Sequence, residues 1–159
     1  MLLIEDNAGD TRLIREMILS DPRDRIDLET VETLGAGMRR LDERAFDIIL
    51  LDLSLPDSHG LETLLRISAI AANTAVVVLT GIDDANLGLQ AVQLGAQDYL
   101  PKTDVDSKLL RRSLRYALER HRSESIVRRS EQEYRSLIND VFNTSMVAVM
   151  ILSRQFRVV

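Results

Sequence analysis

Short, continuous apolar runs alternate with amphipathic segments through the first hundred residues, and this alternation constrains the fold more than any other feature. The apolar runs are residues 2–4, 48–51 (after Phe46 and Asp47) and 75–79, with a short strand at 98–100 and a weaker run at 28–31. The intervening segments place apolar residues three and four positions apart, which indicates amphipathic helices. Uninterrupted apolar strands separated by helices are typical of a parallel sheet covered on both faces. We therefore predict an α/β fold with a doubly wound, five-stranded parallel sheet.

Polar side chains follow the ends of the strongly predicted strands. The five residues are Glu5, Asp6, Asp52, Thr80 and Lys102. In an open parallel sheet, ligands bind at the carboxyl ends of the strands, near the point where the strand order reverses. We therefore expect these five side chains to converge on one edge of the sheet.

The residue types at this edge indicate a particular chemistry. Three converging carboxylates repel one another, and a divalent cation would relieve that repulsion. Oxygen ligands without cysteine or histidine suit Mg²⁺ or Mn²⁺. Lys102 adds a compact positive charge that can hold a phosphoryl oxygen, and Thr80 adds a hydroxyl donor. Metal, ammonium and hydroxyl groups around one carboxylate predict phosphoryl transfer to that carboxylate.

Four separated motifs resemble the receiver domain of two-component response regulators. They are LLIEDN at 2–7, LLDLSLPDSHG at 50–60, VVVLTG at 76–81 and DYLPK at 98–102. The motifs agree with the family in order and in spacing, and the resemblance covers residues 1 to about 122. It implies the flavodoxin-like receiver fold and a role in a phosphorelay.

The resemblance also implies a role for each residue at the strand ends. Asp52 matches the phosphoacceptor, and Lys102 matches the lysine that assists the transfer. Glu5 and Asp6 match the acidic pair that binds Mg²⁺ together with Asp52. The backbone carbonyl of Ser54 matches the family's third protein ligand to the metal.

Two further positions match the residues that move in this family when the phosphoryl group is present. Thr80 matches the hydroxyl residue that turns toward the phosphoryl group, and Tyr99 matches the aromatic residue whose rotamer follows. The resemblance implies a cis peptide at Pro101. Ile82 is apolar at a position that influences how water reaches the phosphoryl group, so we expect slow autodephosphorylation.

The chain changes character after residue 105. Residues 119–133 are highly charged and contain neither Gly nor Pro, which predicts a long exposed helix. Val127, Tyr134 and Leu137 fit the spacing of a coiled-coil seam. The seam is short, so the sequence leaves open whether this helix pairs in a homodimer or is solvated alone.

The last residues predict a hairpin. Residues 146–152 are apolar throughout, and residues 155–159 follow a short polar turn. Residues 128–159 resemble the entry to a PAS sensory domain. We therefore expect a receiver domain at 1–122, a signalling helix at 123–140, and the N-terminal fragment of a PAS-like domain at 141–159 that continues after Val159.

Composition and charge exclude several classes of protein. The chain has no cysteine, which excludes disulfides and thiolate metal sites and fits a reducing, cytoplasmic location. Residues 1–104 carry a net charge of −10 and residues 105–159 a net charge of +5. An acidic body repels nucleic acid, so we expect no direct nucleic-acid binding. No apolar run approaches the ~20 residues of a membrane span.

The expected partners follow from the phosphorelay interpretation. A histidine kinase or phosphotransfer protein would donate the phosphoryl group, and an output domain in the same chain would respond. A homodimer could form through the fourth helix, fifth strand and fifth helix, or through the C-terminal helix. The main alternative is a non-phosphorylated pseudo-receiver that acts as an interaction or dimerisation module. An aspartate-nucleophile phosphatase would also place Asp52 after a buried strand. Such enzymes commonly have a second acid two residues later, where this chain has Ser54, so the sequence argues against this class.

Overall fold

The computed structural model describes the backbone of residues 1–20, 26–81 and 85–155, with side chains described through Asn139 except at Ala85. Seven strands occur in chain order: β1 (Leu2–Ile4), β2 (Glu29–Val31), β3 (Ile48–Leu51), β4 (Ser54–Leu55), β5 (Ser58–His59), β6 (Ala75–Thr80) and β7 (Asp98–Pro101). The helices are α1 (Ala8–Leu19), α2 (Leu34–Glu43), α3 (Leu61–Ile70), α4 (Ala85–Gln93) and α5 (Ser107–Gln155), with a 3₁₀ turn at Lys102–Asp104.

Five of these strands form the predicted parallel sheet. Its order is β2-β1-β3-β6-β7, and every neighbouring pair is parallel. The weakly apolar segment at 28–31 contains β2, which occupies one edge. The two short strands β4 and β5 form a separate antiparallel hairpin after β3. The prediction of a five-stranded parallel sheet is confirmed.

Alternate residues of the strands face opposite layers of helices. On one face, the core includes Ile4 and Leu51 of the sheet together with residues of α2, α3 and α4. On the other face, Leu3 and Leu50 pack with residues of α1 and of the first part of α5. The central strands are buried on both sides, which explains why their sequences are continuously apolar rather than alternating.

The strand order reverses between β1 and β3, because the chain passes from β1 to the edge strand β2 and then returns. Leu2 of β1 pairs with both Glu29 of β2 and Ile49 of β3. A crevice outside the carboxyl ends of the strands is expected where the order reverses. Glu5 follows β1 and Asp52 follows β3, so the topology itself places their backbones side by side.

A carboxylate from another loop caps the start of α2. Asp57, in the turn between β4 and β5, accepts hydrogen bonds from the backbone N–H groups of Leu34 (2.9 Å) and Gly35 (2.8 Å). The Thr33 hydroxyl accepts from the N–H of Ala36 at 3.1 Å. The first N–H groups of a helix have no partner within the helix, so these contacts stabilise α2. They also tie the segment after Asp52 to α2.

The predicted hairpin at the end of the chain is wrong. Residues 146–152 are helical, since α5 runs without interruption from Ser107 to Gln155. The physical reason is that α5 contains no Gly or Pro, and the two residues predicted to turn, Ser153 and Arg154, do not break a helix. Residues 156–159, which belong to the second predicted strand, lie outside the described residues. The hairpin on which the PAS resemblance depended is therefore absent from 146–155.

The chain divides into two compact units, Met1–His121 and Arg122–Val159. The second unit includes residues 122–139 of α5, which form the exposed part of α5. This part has ion pairs between Arg128 and Glu124 (3.8 Å) and between Arg129 and Glu133 (3.1 Å). Each pair joins residues four apart, the spacing that supports a solvated helix. Among the helices described, none combines the length and hydrophobicity needed to cross a membrane.

The expected cis peptide at Pro101 is also wrong, because the described residues contain no cis peptide bond. Pro101 is the last residue of β7 and lies opposite Thr80 in the parallel register. Its φ of −65° and ψ of 131° are ordinary extended values for a proline at a strand end.

We predict that Asp57→Ala lowers the free energy of unfolding by about 1 kcal/mol at neutral pH, the usual cost of losing a helix cap. Burial opposes ionisation of Asp57, but the hydrogen bonds from Gly35 and Leu34 outweigh it and lower its pKa. A lowered pKa in the folded state means that the carboxylate stabilises the fold at neutral pH. That contribution is lost as the pH falls through the folded pKa.

Urea denaturation at a series of pH values checks this prediction. The difference between wild type and Asp57→Ala should shrink toward acid pH. Asp57→Asn keeps one acceptor oxygen and should lose less stability than Asp57→Ala. Equal stability of the alanine variant and wild type at neutral pH would contradict the role assigned to this cap.

Candidate phosphoacceptor site

Three carboxylates converge at the carboxyl ends of β1 and β3. Glu5, Asp6 and Asp52 each offer an oxygen, and these oxygens lie within 4.8 Å of one another. Glu5 and Asp52 are buried, whereas Asp6 is exposed. The backbone fixes the two buried residues, because the N–H of Glu5 donates to Val31 and the N–H of Asp52 donates to Ile4. The sheet therefore holds the carboxylates together despite their repulsion.

Lys102 supplies the positive charge at this edge. Its ammonium Nζ lies 2.7 Å from Asp52 Oδ2, 2.7 Å from Glu5 Oε2 and 2.8 Å from Asp10 Oδ2. The remaining oxygens of the two buried carboxylates accept backbone N–H groups. Asn7 donates to Glu5 Oε1 at 3.1 Å, and Ser54 donates to Asp52 Oδ1 at 3.0 Å. Each oxygen of Glu5 and Asp52 therefore has a polar contact.

The electrostatics of the site follow from burial and from these contacts. Burial raises the pKa of Glu5, the hydrogen bond from Lys102 lowers it, and the charge of Asp52 raises it again, so that the net direction is upward. Burial opposes the charge on Lys102, but hydrogen bonds to Asp10, Asp52 and Glu5 outweigh it and raise its pKa. Lys102 therefore keeps its positive charge at neutral pH.

Thr80 and Tyr99 lie on the neighbouring strands. Thr80 is fully buried at the end of β6. Leu51 pairs with Val78, so Asp52, one residue after Leu51, and Thr80, two residues after Val78, lie at the ends of adjacent strands. The ring of Tyr99 is packed against α4, since a Cβ built on Gly88 would lie 2.9 Å from its Cδ1.

Two further expectations for the site concern Ser54 and Ile82. Ser54 contacts Asp52 through its N–H, and its side chain is exposed. Its carbonyl stays an expected metal ligand. Ile82, on which the expectation of slow autodephosphorylation depends, lies outside the described residues.

Sequence reasoning missed the contribution of Asp10. This residue follows an Asn at the start of α1, where the Asn7 side chain accepts from the N–H groups of Gly9 (2.8 Å) and Asp10 (3.1 Å). The helix therefore begins at Ala8. An Asn as N-cap is a recognisable signal, and it places Asp10 in the first turn.

The donor set at this edge fits a divalent cation. Carboxylate oxygens from Glu5, Asp6 and Asp52 are the ligands that Mg²⁺ and Mn²⁺ prefer, and the cluster contains no nitrogen or sulfur ligand. Within the cluster, the Asp52 carboxylate is buried, and the Lys102 ammonium contacts it at 2.7 Å. This combination suits the transfer of a charged group to Asp52.

Comparisons with known proteins agree with this geometry. Residues 1–115 match the response regulator receiver domain family. The photosynthetic apparatus regulatory protein RegA of Rhodobacter capsulatus is 34% identical over 114 residues, which cover 69% of this chain and 60% of RegA. The chain spans between half and three fifths of the length of the curated relatives that match it well.

Solved structures show the same fold. The signal receiver domain of a putative LuxO repressor protein from Vibrio parahaemolyticus matches with a TM-score of 0.69 and 28% identity, covering 79% of this chain and 94% of that one. The phosphorylated cyanobacterial phytochrome response regulator RcpA matches with a TM-score of 0.58 and 28% identity, covering 70% of this chain and 86% of that one.

We predict that Lys102→Met destabilises the fold by about 3 kcal/mol, because it leaves Glu5 and Asp52 buried without a cation. The loss should shrink as the pH falls, since Glu5 has a raised pKa and its protonation removes one of the buried charges. It should also shrink when Mg²⁺ is added. Urea denaturation with and without Mg²⁺ measures both effects.

Lys108→Met is the matched control, because Lys108 is the other lysine of the chain and is exposed on α5. This substitution should change stability little under any of these conditions. A Lys102→Met variant as stable as the control would show that the ammonium does not compensate the buried carboxylates.

Proposed function

The chain belongs to the response regulator receiver domain family, and from this membership we propose that it is the phosphoacceptor module of a two-component phosphorelay, with Asp52 as the acceptor. The observation that carries the proposal is the placement of Asp52. It is buried at the switch in strand order, touches Lys102 at 2.7 Å, and shares an oxygen cluster with Glu5 and Asp6. The similar structure of RcpA, solved in its phosphorylated form, supports this chemistry.

In the proposed reaction, an oxygen of the Asp52 carboxylate forms a bond to the phosphorus of a phosphohistidine. The P–N bond of the donor breaks, and the imidazole leaves and takes up a proton from water. Mg²⁺, held by Glu5, Asp6, Asp52 and the carbonyl of Ser54, would neutralise charge on the phosphoryl oxygens. The Lys102 ammonium holds a phosphoryl oxygen, and the Thr80 hydroxyl donates to another.

The proposed partners follow from this reaction. A histidine kinase or a phosphotransfer protein supplies the phosphoryl group in the cytoplasm, and an output domain in the same chain receives the signal. Movement of Thr80 and Tyr99 would reshape the surface formed by α4, β7 and the first part of α5. The exposed part of α5 is the segment that we propose transmits this change, as a signalling helix, singly or in a homodimer.

Incubation with acetyl phosphate and Mg²⁺ tests the acceptor. Intact-mass spectrometry should show the addition of one phosphoryl group to wild type, and none to Asp52→Asn, because the amide cannot form an acyl phosphate. Chelation of Mg²⁺ should abolish the modification. Asp42→Asn is the control, since Asp42 is an exposed aspartate on α2, outside the site.

The alternative of a pseudo-receiver makes the opposite prediction. In that case wild type would take up no phosphoryl group at any concentration of Mg²⁺. Modification of Asp52→Asn to the same extent as wild type would instead move the acceptor to another residue.

A second prediction concerns the contact between Tyr99 and α4. In Gly88→Ala, the new Cβ would lie 2.9 Å from the Tyr99 ring, so the ring must shift away from α4. Asp52 should still be phosphorylated, but phosphorylation should change the exposure of the Tyr99 ring less than in wild type. Alanine is also a better helix former than glycine by about 1 kcal/mol, so any loss of stability would come from the clash.

Tyrosine fluorescence can follow this ring, because Tyr99, Tyr116 and Tyr134 are the three tyrosines and the chain has no tryptophan. With the other two replaced by Phe, quenching by iodide reports the exposure of Tyr99. Gly81→Ala is the matched control, since its Cβ would meet nothing within 4 Å. Identical quenching in Gly88→Ala and wild type, before and after phosphorylation, would refute the coupling.

A further inference from the structure

Lys102 has a third carboxylate partner that the proposed reaction leaves without a role. Its ammonium lies 2.8 Å from Asp10 Oδ2, in addition to its contacts with Glu5 and Asp52. An ammonium has three N–H donors. Two of them are hydrogen-bonded to Asp10 and Asp52, and the contact with Glu5 is an ion pair. Asp10 comes from the first turn of α1, whereas Glu5 and Asp52 follow strands of the sheet.

Asp10 differs from the other two partners in its surroundings. The side chains of Glu5 and Asp52 are 1% and 5% exposed, whereas that of Asp10 is 39% exposed. Glu5 and Asp52 also belong to the oxygen cluster that can hold a divalent cation, and Asp10 does not. Two of the three contacts of Lys102 are therefore made to groups that a cation would also use.

Occupancy of the cluster creates a conflict for Lys102. A divalent cation would neutralise Glu5 and Asp52, and it would repel the ammonium that now lies 2.7 Å from both. Among the described partners of Lys102, Asp10 lies outside the cluster, so it would keep its full negative charge when the cation is bound. Its backbone is held by the start of α1, because Asn7 caps the turn that carries it.

We propose that Asp10 is a positioning residue that keeps the Lys102 ammonium beside Asp52 while a divalent cation occupies Glu5, Asp6 and Asp52. The inference rests on the proposed phosphoacceptor function, and it adds a residue that acts through Lys102. Without Asp10, the cation would displace Lys102 toward solvent, and the phosphoryl group would lose one of its positive contacts.

Nuclear magnetic resonance of the lysine side chains tests this directly. The chain has two lysines, Lys102 and Lys108, so ¹⁵N-lysine labelling in a Lys108→Arg background leaves one Nζ signal. In the parent protein, the Lys102 signal should stay slow in hydrogen exchange with water as Mg²⁺ is added. In Asp10→Asn, Mg²⁺ should release the side chain, and exchange should become at least tenfold faster, the factor expected from losing one charge-assisted hydrogen bond.

The rate of phosphorylation is the second readout. With acetyl phosphate and saturating Mg²⁺, Asp10→Asn should react about tenfold more slowly than wild type, for the same reason. Asp10→Glu keeps the carboxylate and should recover part of the rate. Asp42→Asn removes the same charge from an exposed site on α2 and should react at the wild-type rate.

The outcomes separate this inference from the proposed function. If wild type binds Mg²⁺ and is phosphorylated, but Lys102 exchanges equally slowly in Asp10→Asn, the role of Asp10 is wrong and the acceptor function stands. If wild type neither responds to Mg²⁺ nor accepts a phosphoryl group, the function fails and this inference fails with it. The role of Asp10 is supported if Mg²⁺ releases the Lys102 side chain in Asp10→Asn but not in the parent protein.

Discussion

The contacts of the Lys102 ammonium are the interaction on which the site depends. Glu5 and Asp52 are almost completely buried, and two buried carboxylates side by side are unstable without a compensating charge. The parallel sheet forces them together, because β1 and β3 are neighbours at the point where the strand order reverses. Lys102, which follows the edge strand β7, reaches them and also Asp10, 92 residues away in the sequence. One side chain therefore ties α1 and three strand ends into a single electrostatic unit.

Hydrogen bonds to backbone groups hold the segments around this unit in place. Asp57 caps α2 from the turn that follows Asp52, so the segment after the acceptor is anchored at both ends. Gly60 supports this anchoring, since its N–H donates to Leu53 at 2.7 Å and its φ of +61° favours glycine. On the other side of the site, Gly88 leaves room for the ring of Tyr99 on α4. The Asp57 carboxylate thus links the segment after Asp52 to α2, and the Tyr99 ring links β7 to α4.

The sequence was sufficient where a local pattern determines the structure. Continuous apolar runs predicted the strands, and the polar residues after them predicted that Glu5, Asp6, Asp52 and Lys102 meet. It was insufficient where a side chain acts far along the chain, as Asp57 does for α2, because nothing local to Leu34 reveals that partner. The hairpin failed for another reason. A run of apolar residues such as 146–152 has no period that distinguishes a strand from a helix, and the absence of Gly and Pro before it was the stronger signal.

Under the proposed function, the charges of the site also explain why it would need more than one kind of cation. The carboxylates of Glu5, Asp10 and Asp52 contact one ammonium, and that of Asp6 clusters with Glu5 and Asp52. A divalent cation would bring this group close to neutrality, and a phosphoryl group on Asp52 would then add negative charge beside both cations. Lys102 and a divalent cation cannot share the same oxygens without repelling each other. A separate anchor for the ammonium resolves that repulsion, and Asp10, carried by α1 rather than by the sheet, is placed to provide it.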